Sequence, residues 1–313
     1  MFGKLSVFTG NANPDLALSI CDYVGVPLGK ADVFEFSNEN IFVKINDTVR
    51  EQDVFVVQPF SRPVNRSIME MLIMIDALKR ASAARITAVI PYYAYGRTDK
   101  KDQPRVPITA RLIADMLTVA GANRVLTMDL HAGQIQGFFN IPVDELSALA
   151  LLSRHFAEKR LEDVVVVAPD LGVAKRARNF AERLNAQLAV IEKRRQSNDS
   201  RSEILNVIGE VANRRAIIFD DEIDTGGSLV GAAAALEDMG VREVYAACTH
   251  PVFSGPAISR LAESNIREIV ITDTIPVPPE RRLGKLTILS VAPLFAEAIQ
   301  RIHGGGSVGA LFR

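Results

Sequence analysis

The sequence is poor in cysteine and almost free of net charge, and each shortage excludes a class of protein. Its two cysteines, Cys21 and Cys248, lie far apart and form no CxxC pair. We therefore expect reduced thiols in a cytoplasmic protein rather than a disulfide scaffold. The 36 basic and 37 acidic residues give a net charge of −1. Because this balance creates no overall field for nucleic acid or an anionic membrane, we expect neither as a partner.

Two further signals are missing. No apolar run reaches the roughly 18 residues of a membrane span, and no signal-like segment opens the chain, so we expect neither insertion nor export. The P-loop pattern GxxxxGK followed by Ser or Thr is absent, which excludes a P-loop kinase. Any anion site in this protein must therefore be built locally, from loops and side chains.

Apolar runs rich in Val and Ile alternate with helical patterns along the chain. Ile68, Met71, Leu72, Ile75 and Leu78 recur at the spacing of a helix with one buried face. The runs that indicate buried strands are residues 54–57, 86–90, 125–128, 164–168, 217–219, 244–247 and 269–271. Repeated strands and helices predict an α/β fold with mainly parallel sheets flanked by helices.

A weak internal similarity favours two related domains. Residues 123–134 resemble residues 214–227, which aligns Asp129 with Asp220. Chance similarity between strand–helix units is the alternative. We expect one domain over residues 1–147 and a second over residues 148–313. The apolar residues of the tail (Val308, Leu311 and Phe312) indicate that it docks against the body of the protein, on the first domain.

The most informative segment is AIIFDDEIDTGGS, residues 216–228. An apolar run ends in Asp220 and Asp221, and a loop of small residues then leads into a helical pattern. The backbone N–H groups of such a loop and the helix dipole favour a phosphate. Carboxylates at the end of a strand suit sugar hydroxyls or a metal ion. The segment therefore predicts a site for a phosphorylated sugar.

Two other loops follow strands and carry groups of the same kind. Asp170 is the second residue of PDLGVAKR and could hold a magnesium ion, although a basic helix start is as easily a solvated face. His131 lies two residues after Asp129 in DLHAGQIQGFF, where loops carry function, although a lone histidine is more often structural.

Two segments are rich in cationic side chains. Glu192-Lys193-Arg194-Arg195 follows an apolar run and leads into polar residues, which indicates a strand and then a mobile loop. A solvated charge run is the alternative, but cations on a closing loop suit phosphoryl transfer. Residues 92–105 combine tyrosines with Arg97 and could form a nucleotide platform or a subunit contact.

Taken together, these segments resemble the class I ribose-phosphate diphosphokinases, the PRPP synthetases. The resemblance runs essentially end to end, and the pair DLHAGQIQGFF and DDEIDTGGS is highly specific. It implies two phosphoribosyltransferase-like domains, usually assembled as hexamers built from dimers. It also implies transfer of the β,γ-diphosphoryl group of ATP to the C1 hydroxyl of ribose 5-phosphate, with Mg²⁺. The products would be AMP and PRPP, the latter for nucleotide, histidine and tryptophan biosynthesis.

The resemblance also implies a role for each matching residue. Ribose 5-phosphate would be held by Asp220, Asp221, Asp224, Thr225, Gly226, Gly227 and Ser228, with the 5-phosphate in the loop and the first two carboxylates facing the 2- and 3-hydroxyls. ATP would be bound by Arg97, Thr98 and His131, and its adenine by Phe36, Asn38 and Asn40 of a neighbouring subunit. The metal would be bound by His131, Asp170 and Asp129. Lys193 and Arg195 would be the catalytic cations, and Arg50 with Ser307 a possible allosteric phosphate site.

Four residues depart from the family pattern. Thr98 replaces a glutamine, Asn40 a glutamate, and Val173 the second glycine of the diphosphate loop. Gly309 lies in the tail SVGALF, where the family usually has SVSYLF, so the sequence does not decide whether phosphate activates this protein. Two other functions remain as alternatives: a phosphoribosyltransferase, which would not explain DLHAGQIQGFF, and a non-catalytic PRPP-synthetase-like subunit, which tends to have damaged catalytic loops.

Overall fold

The computed structural model describes residues 3–195 and 202–312, and confirms the α/β class. Its contacts divide the chain into two units. Unit 1 comprises Met1–Ser147, Thr274–Pro276 and Ser290–Arg313, and unit 2 comprises Ala148–Asp273 and Val277–Leu289. Residues 290–313, which continue the second domain in the sequence, therefore cluster with the first.

The strands of unit 1 are β1 (Leu5–Thr9), β2 (Ala31–Glu35), β3 (Ile41–Ile45), β4 (Asp53–Val57), β5 (Arg85–Ile90), β6 (Arg124–Met128) and β7 (Val143–Leu146). Its N-terminal helices are α1 (Pro14–Val24), α2 (Val64–Arg80) and α3 (Thr109–Ala120). A parallel sheet has the order β1-β4-β5-β6-β7, and β2 and β3 form a separate antiparallel hairpin. Every residue of β4 is buried, which means that both faces of the sheet are covered.

The helices of unit 2 are α4 (Leu149–Glu158), α5 (Ala174–Arg183), α6 (Gly227–Asp238) and α7 (Ala257–Glu263). Its strands are β8 (Val164–Ala168), β9 (Gln187–Arg195), β10 (Ser202–Ile208), β11 (Arg215–Ile223), β12 (Glu243–Pro251), β13 (Glu268–Thr272) and β14 (Leu286–Leu289). They form one sheet of order β10-β9-β8-β11-β12-β13-β14, parallel except for β10 against β9. Since β11 lies between β8 and β12, its carboxyl end opens at the middle of the sheet edge, where α/β proteins bind ligands.

The last helix, α8 (Ala292–Gly304), returns to unit 1 and packs against α1. An ion-pair cluster fixes its end to the sheet. Asp53 is fully buried and accepts hydrogen bonds from Arg85 Nε at 2.7 Å and Nη2 at 2.5 Å. His303 Nδ1 lies 2.8 Å from Asp53 Oδ2, and Arg85 Nη2 also donates to the carbonyl of Ile302 at 2.9 Å. The buried carboxylate thus holds both β5 and the C-terminal helix.

Both cysteines are buried and free, as expected for reduced thiols. Burial, with a contribution from Asp22, raises the pKa of Cys21 to about 11. Burial, followed by the charges of Asp220 and Asp221, also raises the pKa of Cys248 well above its usual range. Because the thiolate is the reactive form, neither side chain is placed for redox or nucleophilic chemistry.

Candidate active site

Asp220 and Asp221 lie together in the second half of β11. Asp221 is 5% exposed, Asp220 is half-buried, and the Asp221 N–H donates to Asp220 Oδ1 at 2.9 Å. Burial raises the pKa of Asp220 well above its usual range, and the charge and hydrogen bond of Asp221 and the charge of Asp170 add to this effect. The strand end therefore concentrates negative charge that a hydroxyl donor or a cation would relieve.

The loop after β11 gives α6 an N-terminus that no side chain caps. Gly226 occupies the N-cap position with φ +74° and ψ −7°, in the left-handed region that favours glycine. Among the described residues, no side chain forms a capping hydrogen bond at this end of α6. An N-terminus with unused N–H groups and a positive dipole end is suited to an anion such as a phosphate.

Side chains from the segment after β12 contact this loop, and the sequence analysis missed them. The Ser254 N–H donates to the Asp224 carbonyl at 3.0 Å, and its hydroxyl donates to Asp224 Oδ1. Arg260 Nη1 donates to the Thr225 carbonyl at 3.2 Å. These contacts join residues about 30 positions apart in the chain, and no local pattern in the sequence indicates them.

The loop between β8 and α5 uses its aspartate to close a turn. Asp170 Oδ1 accepts hydrogen bonds from the N–H groups of Gly172 at 2.8 Å and Val173 at 3.3 Å. Val173 has φ −90°, so its side chain causes no backbone strain at the position where the resemblance implies a glycine. Arg176 Nη1 lies 3.7 Å from Asp221 Oδ2, which connects this loop electrostatically to the carboxylates of β11.

A metal ion at this end of unit 2 would need ligands besides its side chains. Among the side chains that the structure describes, no cluster of three or more His, Cys, Asp or Glu could hold a metal by itself. The exposed Asp170 carboxylate, whose charge adds to the effect of burial in raising the pKa of Asp220, nevertheless suits Mg²⁺. Mg²⁺ is usually held by one or two carboxylates together with substrate phosphates and water, so these residues fit a metal that arrives with a nucleotide.

In unit 1, two of the predicted nucleotide-binding segments lie side by side. Asp129 follows β6 with φ +38°, and its N–H donates to the Leu146 carbonyl at 2.9 Å. His131 is exposed in the loop that follows. A Cβ built on Gly96 would lie 3.4 Å from His131 Cβ, so the residue next to Arg97 approaches the histidine closely.

Local hydrogen bonds fix the loop that carries Arg97 and Thr98. Arg97 is exposed, the Thr98 N–H donates to the Tyr95 carbonyl at 3.0 Å, and its carbonyl accepts from the Ala110 N–H at 3.2 Å. Gln134 Nε2 donates to Asp99 Oδ2 at 2.7 Å and thereby links this loop to the histidine loop. A solvent-facing guanidinium and an imidazole on two connected loops could bind phosphate groups.

The predicted adenine-binding residues lie at the tip of the β2–β3 hairpin. The Phe36 N–H donates to the Asn40 carbonyl at 2.9 Å, and Asn38 Oδ1 accepts from the Asn40 N–H at 3.2 Å. The Asn38 side chain therefore shapes the turn. Phe36 is 48% exposed and packs edge-to-face on Phe34 with ring centroids 5.2 Å apart. Its ring is available to a flat partner.

The remaining predicted residues are only partly described. The backbones of Lys193 and Arg195 belong to β9 and pair with β10, so the strand continues through the basic cluster rather than ending before it. Their side chains lie outside the described part of the structure, as do residues 196–201, where we expected the mobile loop. Arg50 and Ser307 are both exposed on unit 1, and the Ser307 carbonyl accepts from Arg301 Nη1 at 3.2 Å.

Among the helices of the described residues, none combines the length and the apolar character needed to cross a membrane.

Comparison with known proteins gives matches over almost the whole chain. The model for the N-terminal domain of ribose phosphate pyrophosphokinase matches residues 5–121, and that for the phosphoribosyl synthetase-associated domain matches residues 199–313. The chain is 57% identical over 310 residues to a ribose-phosphate pyrophosphokinase of Caldanaerobacter subterraneus subsp. tengcongensis, a match covering 99% of this chain and 98% of the relative. A ribose-phosphate pyrophosphokinase of Clostridium acetobutylicum is 53% identical over 312 residues, with the same coverage.

A solved structure is similar along the same length. The crystal structure of phosphoribosylpyrophosphate synthetase from Mycobacterium smegmatis matches with a TM-score of 0.91 at 43% identity, covering 97% of this chain and 100% of that one.

Proposed function

Because the chain belongs to the ribose-phosphate pyrophosphokinase family, we propose that it transfers the diphosphoryl group of ATP to the C1 hydroxyl of ribose 5-phosphate. The C1 oxygen attacks the β-phosphorus, the bond from that phosphorus to the α,β-bridging oxygen breaks, and AMP leaves with that oxygen. The hydroxyl proton passes to solvent. The observation that carries the proposal is the N-terminus of α6, which no side chain of the described residues caps, on the loop that follows Asp220 and Asp221 of β11.

Unit 2 supplies the groups that a phosphorylated sugar needs. We assign the 5-phosphate to the loop formed by Asp224, Thr225, Gly226, Gly227 and Ser228, where the first amides of α6 and the positive end of its dipole stabilise a dianion. Asp220 and Asp221 accept hydrogen bonds from the 2- and 3-hydroxyls, which orients the C1 oxygen. The reaction needs no protein nucleophile, so positioning and charge stabilisation supply the catalysis.

Unit 1 supplies the groups that we assign to ATP. His131, Arg97 and Thr98 contact the triphosphate, and Phe36, Asn38 and Asn40 hold the adenine of a neighbouring subunit, so we propose a homo-oligomer, a hexamer in this family. Bound Mg²⁺ would neutralise charge on the β- and γ-phosphates. We propose Asp170 of unit 2 as a ligand of this metal, and we propose His131 and Asp129 of unit 1 as groups that bind the metal–ATP complex. Arg50 and Ser307 remain our candidates for a regulatory phosphate, and we assign the protein to the cytoplasm.

The near full-length match to curated pyrophosphokinases does not favour the two alternatives, a phosphoribosyltransferase or a non-catalytic subunit. The full chain, incubated with Mg-ATP and ribose 5-phosphate, should produce AMP and PRPP in equal amounts, and neither product when one substrate is omitted. A phosphoribosyltransferase would consume PRPP without ATP, and a non-catalytic subunit would give no AMP even at high enzyme concentration.

Lys193→Ala should lower kcat by about 100-fold or more, the scale observed when one group that stabilises transition-state charge is deleted. The matched control is Lys159→Ala, which removes a lysine of unit 2 that pairs with Glu268 at 3.0 Å. Steady-state AMP formation measures both. Turnover of the Lys193 variant close to that of wild type would refute its role.

A further inference from the structure

The segment from Ser254 to Arg260 lies directly against the loop to which we assign the 5-phosphate. It contacts three consecutive residues of that loop. Ser254 binds both the carbonyl and the carboxylate of Asp224, and Arg260 Nη1 donates to the Thr225 carbonyl at 3.2 Å. A Cβ built on Gly226 would lie 3.6 Å from Ala257 Cα, in ordinary contact. The backbone of the loop therefore rests on this segment.

Arg260 also brings positive charge to the loop. A Cβ built on Gly227 would lie 3.3 Å from Arg260 Nη1, so the guanidinium lies against the first residue of α6. A guanidinium carries five N–H donors and keeps its charge at any physiological pH. Its single described hydrogen bond to Thr225 fixes the orientation of that peptide, and its charge adds to the positive end of the α6 dipole.

We propose that Arg260 is a positioning and specificity residue for the phosphate monoester of the sugar substrate. It holds the Thr225 peptide in the conformation that directs the following N–H groups toward the phosphate. Its positive charge also reduces the electrostatic repulsion between the phosphate dianion and the carboxylates of Asp220 and Asp221. This inference rests on the proposed function, because it takes the loop to bind the 5-phosphate. It assigns to Arg260 a role in sugar-phosphate affinity and none in the chemical step.

The test compares Arg260→Gln, Arg260→Lys and wild type in the full chain. Arg260→Gln should raise the KM for ribose 5-phosphate by about 10-fold, the scale of one lost hydrogen bond from a charged donor. The kcat and the KM for ATP should stay within about two-fold of wild type. Arg260→Lys keeps the charge without the planar fork and should recover part of the lost affinity. Direct titration with ribose 5-phosphate, without ATP, should rank the affinities of the three proteins in the same way: wild type highest, Arg260→Lys intermediate and Arg260→Gln lowest.

Arg267→Gln is the matched control. Arg267 pairs with Glu243 and directly precedes β13, so it lies at the amino-terminal end of the strands, away from the carboxyl ends that carry the loop. Its loss should therefore leave both KM values unchanged. Equal rises of both KM values in Arg260→Gln, a loss confined to kcat, or an unchanged KM for ribose 5-phosphate would overturn the inference. A fall in melting temperature without any recovery of affinity in the lysine variant would also overturn it. If wild type itself forms no AMP, the proposed function fails instead.

Discussion

Asp220→Asn should lower kcat/KM for ribose 5-phosphate by about 10²- to 10³-fold and at the same time raise the melting temperature. The activity should fall because the variant loses a charged acceptor for a sugar hydroxyl, and misplacement of a reacting group is costly. The stability should rise because Asp220 lies half-buried beside the charges of Asp221 and Asp170. The amide keeps an oxygen for the Asp221 N–H, so the backbone contact survives.

The gain in stability should depend on pH in a defined direction. The folded pKa of Asp220 is raised, so below the ordinary value of about 3.9 the carboxyl is protonated in both the folded and the unfolded state. As the pH rises above that ordinary value, the unfolded chain ionises before the folded one, so the wild type loses stability until the pH has passed the raised folded pKa. The variant has no carboxyl group to ionise at this position, so it keeps its stability. The difference in stability between the variant and the wild type should therefore be largest at neutral pH and shrink as the pH falls.

Thermal unfolding of both proteins without metal or substrate, from acidic to neutral pH, measures this difference. Asp163→Asn is the control, because Asp163 pairs with Arg242 at the opposite end of the sheet. An Asp220→Asn variant that is less stable than wild type at neutral pH would show that the carboxylate is a structural group. One with normal activity would remove Asp220 from the sugar site.

Asp53→Ala should destabilise unit 1 by about 3–5 kcal/mol, the cost of removing one partner from a buried ion pair. Asp53 is fully buried and accepts from both Arg85 and His303, so its loss leaves a guanidinium with 15% side-chain exposure without its counter-charge. The same change frees the end of α8. Chemical denaturation of the full chain measures the free energy of unfolding.

The control for Asp53 is another aspartate–arginine pair in the same unit. Asp76 pairs with Arg80 at 2.7 Å on the surface of α2, with side-chain exposures of 48% and 78%, so Asp76→Ala should have little effect. Equal stability of the two variants would contradict the view that burial gives the Asp53 cluster its importance.

The sequence predicted the buried parallel strands well, because strands covered on both faces are continuous Val- and Ile-rich runs. β4, β5, β6 and β8 begin or end within one residue of the predicted runs. The hairpin of β2 and β3 was missed because its residues are half-exposed or exposed, and it therefore shows no strong apolar run. The assignment of α8 to unit 1 also depends on distant contacts, such as His303 with Asp53.

In the candidate site, too, the sequence predicted the residues that are adjacent in the chain and missed those that only distant contacts bring together. The sequence identified Asp220, Asp221 and the loop around Gly226, because a strand end, acidic residues and small residues are adjacent in the chain. It did not identify Ser254 or Arg260, because only the fold brings them to that loop. It also placed a loop at Lys193, where pairing with β10 extends the strand.

The most direct test of the central claim follows the phosphorus atoms of ATP. The full chain is incubated with Mg²⁺, ribose 5-phosphate and ATP labelled at the γ-phosphorus, and the products are separated by chromatography. Our account predicts that the label appears in PRPP and that the unlabelled nucleotide product is AMP. Label in inorganic phosphate, or in a ribose bisphosphate formed together with ADP, would contradict diphosphoryl transfer.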